Sequence, residues 1–157
     1  MIEMSDSVLE SGSAAAPKPI DPRGPRFNQG VITVALLAAF LADWKPMVPV
    51  IGVVLLLSAA GGSQWGPFLR LYRDAIRPRL SPPGGLEDPR GPQFAATIGT
   101  VFLAGSTIAH LAGAAALGWG LALVVAALAG LAAVTGICVG CEIWLFFARR
   151  RGVPLAV

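Results

Sequence analysis

Both cysteines of the chain, Cys138 and Cys141, lie in the stretch GICVGCEIW, from Gly136 to Trp144, with two residues between them. Three chemistries use such a pair. In a redox dithiol one thiolate attacks a disulfide and the second resolves the mixed intermediate. In a sulfur relay a persulfide is accepted on one cysteine and passed on. A soft metal such as copper(I) or zinc takes thiolate ligands, but two are too few to close a zinc site, so a second copy or a partner would supply the rest. Beside these stands plain packing, since a cysteine fills space as a small apolar side chain. A structural disulfide is set aside at this point, because the closed loop is tiny and a cytoplasmic setting is reducing. Within the pair, Cys141 is expected to be the exposed attacker and Cys138 the resolving cysteine. One consideration opposes a reactive thiolate: the pair follows a long apolar helix, and a helix C-terminus disfavours negative charge. Gly136 and Gly140 are the positions where that helix could break.

Little else in the chain has chemical spacing. His110 is the single histidine and reads as a helix-end residue. Asn28, Ser63 and Gln64 are suited to hydrogen bonds between helices. The sequence has no glycine-rich phosphate loop, no Ser-His-Asp set and no His/carboxylate metal cluster. No cofactor is expected.

The elements that must position the cysteines are apolar helices. Hydrophobic residues make up 55% of the chain and charged residues 13%, about half the share typical of a soluble domain. No Asp, Glu, Lys or Arg occurs between Phe94 and Cys141. Stretches of about 20 apolar residues read as membrane spans, and the arginines flank them, so the net charge of +3 does not point to nucleic acid.

An internal repeat organises the spans. DPRGPRF at Asp21 to Phe27 returns as DPRGPQF at Asp88 to Phe94, and each copy precedes two apolar segments. The spans are placed at about Phe27 to Trp44, Met47 to Gln64, Phe94 to Leu111, and from near Trp119 onward. The fourth apolar run is too long for one span. Aligning Gly62 and Gly66 with Gly136 and Gly140 sets Gln64 opposite Cys138 and ends the fourth span near Cys138. WGPFLRLYRDAI and EIWLFFARRR then become interfacial amphipathic segments after spans two and four. In each repeated motif, Asp21 or Asp88 is suited to cap a helix or turn and Pro22 or Pro89 to fix φ. Arg23 and Arg90 are expected at lipid phosphates or at the last carbonyls of a neighbouring span.

The fold expected is thus an all-α integral membrane protein. Four transmembrane helices form two parallel two-helix repeats. The divisions are a disordered cytoplasmic tail (1–20), the first repeat (21–80), a cytoplasmic loop (81–93), the second repeat (94–151) and a short C-terminal tail (152–157). Eleven of the twelve basic residues fall on one side, Lys45 being the exception, which places both termini in the cytoplasm and the protein in the plasma (inner) membrane.

The two DPR motifs, the four apolar segments and GICVGCEIW together resemble a family of small bacterial membrane proteins known as domain of unknown function 4395. The resemblance covers about Ile20 to Trp144. It implies that the family's recurrent Cys-x-x-Cys maps onto Cys138 and Cys141. Members of the family tend to be encoded near thioredoxin-like and rhodanese-like proteins in actinobacteria, which implies redox or sulfur chemistry. The expected function is a membrane component of thiol–disulfide or sulfur-relay chemistry, with a thioredoxin-like or sulfurtransferase (rhodanese-like) partner. The alternatives are a small transporter subunit for a sulfur species or soft metal, and a non-catalytic scaffold. The expected partners are the lipid bilayer, such a cytoplasmic protein, and a further copy of the chain in a homo-oligomer.

Overall fold

The computed structural model describes residues 17–61 and 65–153. Most of the N-terminal tail, Ser63 and Gln64 lie outside the described residues. Six α-helices are present among them: α1 Arg23–Leu41, α2 Met47–Gly61, α3 Pro67–Leu71, α4 Arg90–Leu111, α5 Ala115–Thr135 and α6 Val139–Arg150. A π-helical turn over Tyr72–Ile76 and a 3-10 turn over Arg77–Arg79 continue α3.

The repeated motif starts α1 and α4 in the same way. Asp21 Oδ1 accepts the backbone N–H of Arg23 at 2.9 Å, and Asp88 Oδ1 accepts that of Arg90 at 2.9 Å. Pro22 and Pro89 have nearly identical backbones, φ −63 and ψ −17 against φ −65 and ψ −19. Helix N-termini leave N–H groups without partners, and a carboxylate there satisfies one of them. The motif therefore belongs to the first turn of each helix rather than to a loop before it. Arg23 reaches the Ser81 carbonyl with Nη1 at 3.1 Å, tying the start of α1 to the central loop.

The two long helices end alike as well. Trp44 N donates to Ala39 O at 2.8 Å, and Ala114 N donates to Ala109 O at 2.9 Å. These bonds use up carbonyls that a helix end leaves free. Asp43 (φ 48) and Gly113 (φ 80) make the left-handed turns between them. Helix α5 starts at Ala115, four residues before the start expected at Trp119, because Ala115, Ala116 and Leu117 are good helix formers and outweigh the poorer Gly118.

Packing interlocks the repeats. Helix α2 lies along α4 and α5 lies along α1, so each repeat's second helix packs on the other repeat's first; α4 also packs along α5. Small residues set the approach. A Cβ on Gly52 would stand 3.5 Å from Leu103 Cβ, and one on Gly130 would stand 3.2 Å from Thr33 Cγ2. The core contains Ile32, Leu36, Val48, Leu55, Leu103 and Ala126. Val34, Leu41, Val101, Ile108, Leu111 and Val134 point outward, each more than 60% exposed. Of the helices, α4 and α5 are long and apolar enough to cross a membrane. α2 is apolar but has 15 residues, and α1 opens with RGPRFNQG, which is polar. The finer expectation of four spans thus reduces to two helices that meet length and composition together.

Candidate functional site

The long fourth apolar run breaks at Gly136. Its φ of 77° is left-handed, which glycine adopts without a Cβ penalty, and it caps α5 after Thr135. The Arg26 guanidinium lies against this glycine, where any Cβ would collide with it. Ile137 follows, its N–H bonded to Thr135 Oγ1 at 3.1 Å. Cys138 then stands in extended backbone, φ −91 and ψ 105, as the N-cap of α6. Gly140 is inside α6 and breaks nothing.

This reverses the electrostatics expected for the pair. Cys138 does not trail a helix C-terminus; it caps an N-terminus, where the helix dipole and free N–H groups favour negative charge. Its Sγ accepts the backbone N–H of Cys141 at 3.3 Å and one hydrogen of the Gln29 amide, Nε2, at 3.7 Å. Glu142, in the first turn of α6, adds a nearby like charge that works against a second anion.

Exposure is reversed too. Cys141 is buried, with 6% of its surface exposed, whereas Cys138 is half-buried. The cause is the seating of α6 on α4. A Cβ on Gly140 would stand 2.6 Å from Ala95 Cβ and 2.8 Å from Ala95 Cα, and one on Gly91 would stand 3.2 Å from Cys141 Cβ. Glycine at both places lets the helices meet and presses Cys141 into the contact. The expectation that Cys141 is the more exposed of the two is therefore corrected: Cys138 is. Matched by helix starts, Cys138 stands opposite Gly66, the N-cap of α3, two positions from the alignment with Gln64.

The two sulfurs lie at disulfide-bonding distance, with Cα atoms 5.1 Å apart, and no cysteine is free. The pairing set aside on sequence grounds is thus within geometric reach. Closing so short a loop removes little chain entropy, so a bond here contributes little to stability. Among the described residues, no group of three or more His, Cys, Asp or Glu side chains is placed to hold a metal ion.

Cys138 also lines a cavity of about 270 Å³ between the repeats. Its walls are mostly apolar, with polar groups from Asn28, Gln29, Ser58 and Gln93. Asn28 is buried, and its Oδ1 has no hydrogen-bond partner. At the same end, burial pushes the Glu87 carboxyl up; Arg26 pulls it down and the Glu142 charge pushes it further up.

The remaining sequence candidates fall elsewhere. Asp21 accepts a bond from Tyr72 Oη at 3.3 Å in addition to capping α1, and Asp88 is buried at the start of α4. These motifs build helix starts, and the second one also brings Gly91 against Cys141. His110 sits at the opposite end of α4, its ring 4.9 Å from that of Trp119, whose Nε1 donates to Asp43 Oδ1 at 3.0 Å. Sequence reasoning missed Gln29 and the cavity. Gln29 is one helical turn from Arg26 and Thr33, both of which face α5 or its cap, but nothing in the sequence marks that face of α1.

An all-helical chain with two membrane-capable helices, internally repeated, and a Cys-x-x-Cys starting its last helix is the class that fold and site define. The chain belongs to the family described as domain of unknown function 4395, which matches residues 20–149. No curated protein and no solved structure matches it.

Proposed function

We propose that the chain is a four-span membrane protein whose Cys138–Cys141 pair exchanges disulfides with a thioredoxin-like protein at the cytoplasmic face. The observation that carries this reading is Cys138 at the N-cap of α6, half-exposed, with two N–H donors on its sulfur and Cys141 in bonding reach. The N-cap position stabilises a thiolate on Cys138, and the buried Cys141 is placed to resolve a mixed disulfide on it. The outward apolar side chains and the gathering of basic residues at one end of the helices support four spans with both termini inside. The apolar walls of the cavity support relay over passage of a polar species.

The test is alkylation in native membranes. After mild reduction, Cys138 should react with a thiol reagent from the cytoplasmic side, and without reduction neither cysteine should. A pair that stays unreactive until detergent unfolds the chain would overturn the reading. A sulfurtransferase partner would instead leave a persulfide on Cys138, visible as an added sulfur by mass.

A further inference from the structure

The cavity beside Cys138 has the attributes of a ligand site. An apolar cavity of about 150 Å³ takes a benzene ring, so 270 Å³ accommodates a fused bicyclic ring and the start of a tail. The polar groups are confined to a few positions in an apolar wall, as in small-molecule sites. Its rim includes Ile98, Val124 and Leu128 of α4 and α5, 42%, 43% and 44% exposed, and Ile143 of α6, 43% exposed. The opening therefore lies on the side that the proposed topology gives to lipid. Gln29 Nε2 uses one hydrogen on Cys138 Sγ and has a second for a ligand oxygen, and Asn28 Oδ1 is a buried acceptor without a donor.

We infer that this cavity binds the ring of a membrane quinone, which oxidises the reduced Cys138–Cys141 pair. The inference rests on the relay reading and names its electron acceptor. In the step, the S–H bonds of Cys138 and Cys141 break and the S–S bond forms. The two electrons and two protons pass to the quinone, whose two carbonyls become hydroxyls. An amide N–H of Gln29 suits the quinone carbonyl, and Asn28 Oδ1 suits a hydroxyl of the hydroquinone. The ring enters between α4 and α5 and leaves its isoprenoid tail in the bilayer. The cytoplasmic partner then re-reduces the disulfide from its own dithiol, so electrons flow from cytoplasm to membrane.

The experiment uses the full chain in lipid nanodiscs and a naphthoquinone substituted at both ring carbons, so that thiols cannot add to it, with a short prenyl tail. Reduced protein should lose both thiols and form one hydroquinone per chain. Ala129→Phe, which fills the cavity, and Leu128→Trp, at its exposed rim, should each slow this by about tenfold or more. Oxidation of the same variants by a water-soluble aromatic disulfide should keep the native rate, which also shows that they fold. The double variant Cys138→Ser/Cys141→Ser should still bind one quinone, read by quenching of tryptophan fluorescence. Equal quinone rates in native and cavity-filled protein, or no binding to the double variant, would overturn the quinone site while leaving the relay standing. Binding without oxidation, together with no reaction toward the soluble disulfide, would overturn the relay and the redox step with it. Retention of a lipid acyl chain that quinone does not displace also overturns the inference.

Discussion

Ile20 and Glu87 hold each other's backbone: each N–H donates to the other's carbonyl, at 2.9 Å in both directions. They are 67 residues apart, which is the offset between Asp21 and Asp88, so each is the residue just before its own repeat. A reciprocal bond between equivalent positions is what a two-fold relation produces on its axis. The same relation recurs in the pairs Phe27–Tyr72 and Phe94–Trp144, whose rings are 5.9 and 6.0 Å apart and tilted by 35° and 39°. Residues 21–61 should superpose on 88–135 by a rotation about an axis near the membrane normal, which a structure in lipid nanodiscs reads directly. An axis in the membrane plane would contradict this.

Removing one side of that bond tests its weight. Ile20→Pro keeps the carbonyl and deletes the N–H, and should cost about 1 kcal/mol. Thermal unfolding in detergent reads the shift. A loss several times larger would mean that the bond holds the whole central loop in place.

The cysteines should differ in kind. Cys141→Ser should prolong the mixed disulfide with a thioredoxin-like partner, because the resolving thiol is gone. Cys138→Ser should abolish it. After reduction, Cys138 should alkylate at least about tenfold faster than Cys141, given the burial of the latter. Equal rates would refute the assignment of roles; peptide mass mapping after short exposure decides.

Gly140→Ala forces α6 away from Ala95 and should destabilise the chain by about 1–3 kcal/mol. It should also expose Cys141 to alkylation. Gly120→Ala is the control, since a Cβ there would meet nothing within 4 Å beyond its own stretch of helix. It should be neutral or stabilise by up to about 1 kcal/mol. Identical behaviour of the two variants would remove Gly140 from the seating of α6.

Glu87 gives a pH-dependent test. Burial raises its folded pKa above the unfolded value. The protonated form is therefore favoured on folding, and its contribution is present at low pH and lost as pH rises through the folded pKa. Glu87→Gln should raise the melting temperature at pH 7 by no more than about 2 °C, since the group is half-exposed. The gain should shrink to nothing as pH falls below the ordinary carboxylate range. A loss at pH 7 would mean that the pull of Arg26 outweighs burial.

Topology is testable separately. A cysteine placed between Asp43 and Lys45, in the double-serine background, should be labelled from the outside of intact cells by an impermeant reagent. Labelling only after permeabilisation would reverse the orientation.

The helices and their breaks were legible because they follow from local chemistry. The Asp-Pro starts, the apolar runs and the αL glycine at Gly136 each act within a few residues. The division of the long run near Cys138 could be read by comparing the repeats. What could not be read was which surfaces meet. The burial of Cys141 depends on Gly91 and Ala95, some fifty residues earlier, and GICVGCEIW carries no trace of them. The charge environment of Cys138 was misjudged for a related reason. One residue's shift between trailing a helix and capping the next reverses the sign of the dipole it feels.

The exchange of packing between repeats has a consequence in time. Thr33 Oγ1 bonds to the Ala126 carbonyl, 93 residues further along the chain. At the usual pace of synthesis, about 5–20 residues per second, roughly 5–20 seconds separate the emergence of the two. During that interval the first helix pair lacks the surfaces that later cover it. Whatever shelters nascent helices, lipid or insertion machinery, must hold this pair apart from its neighbours until the second repeat arrives.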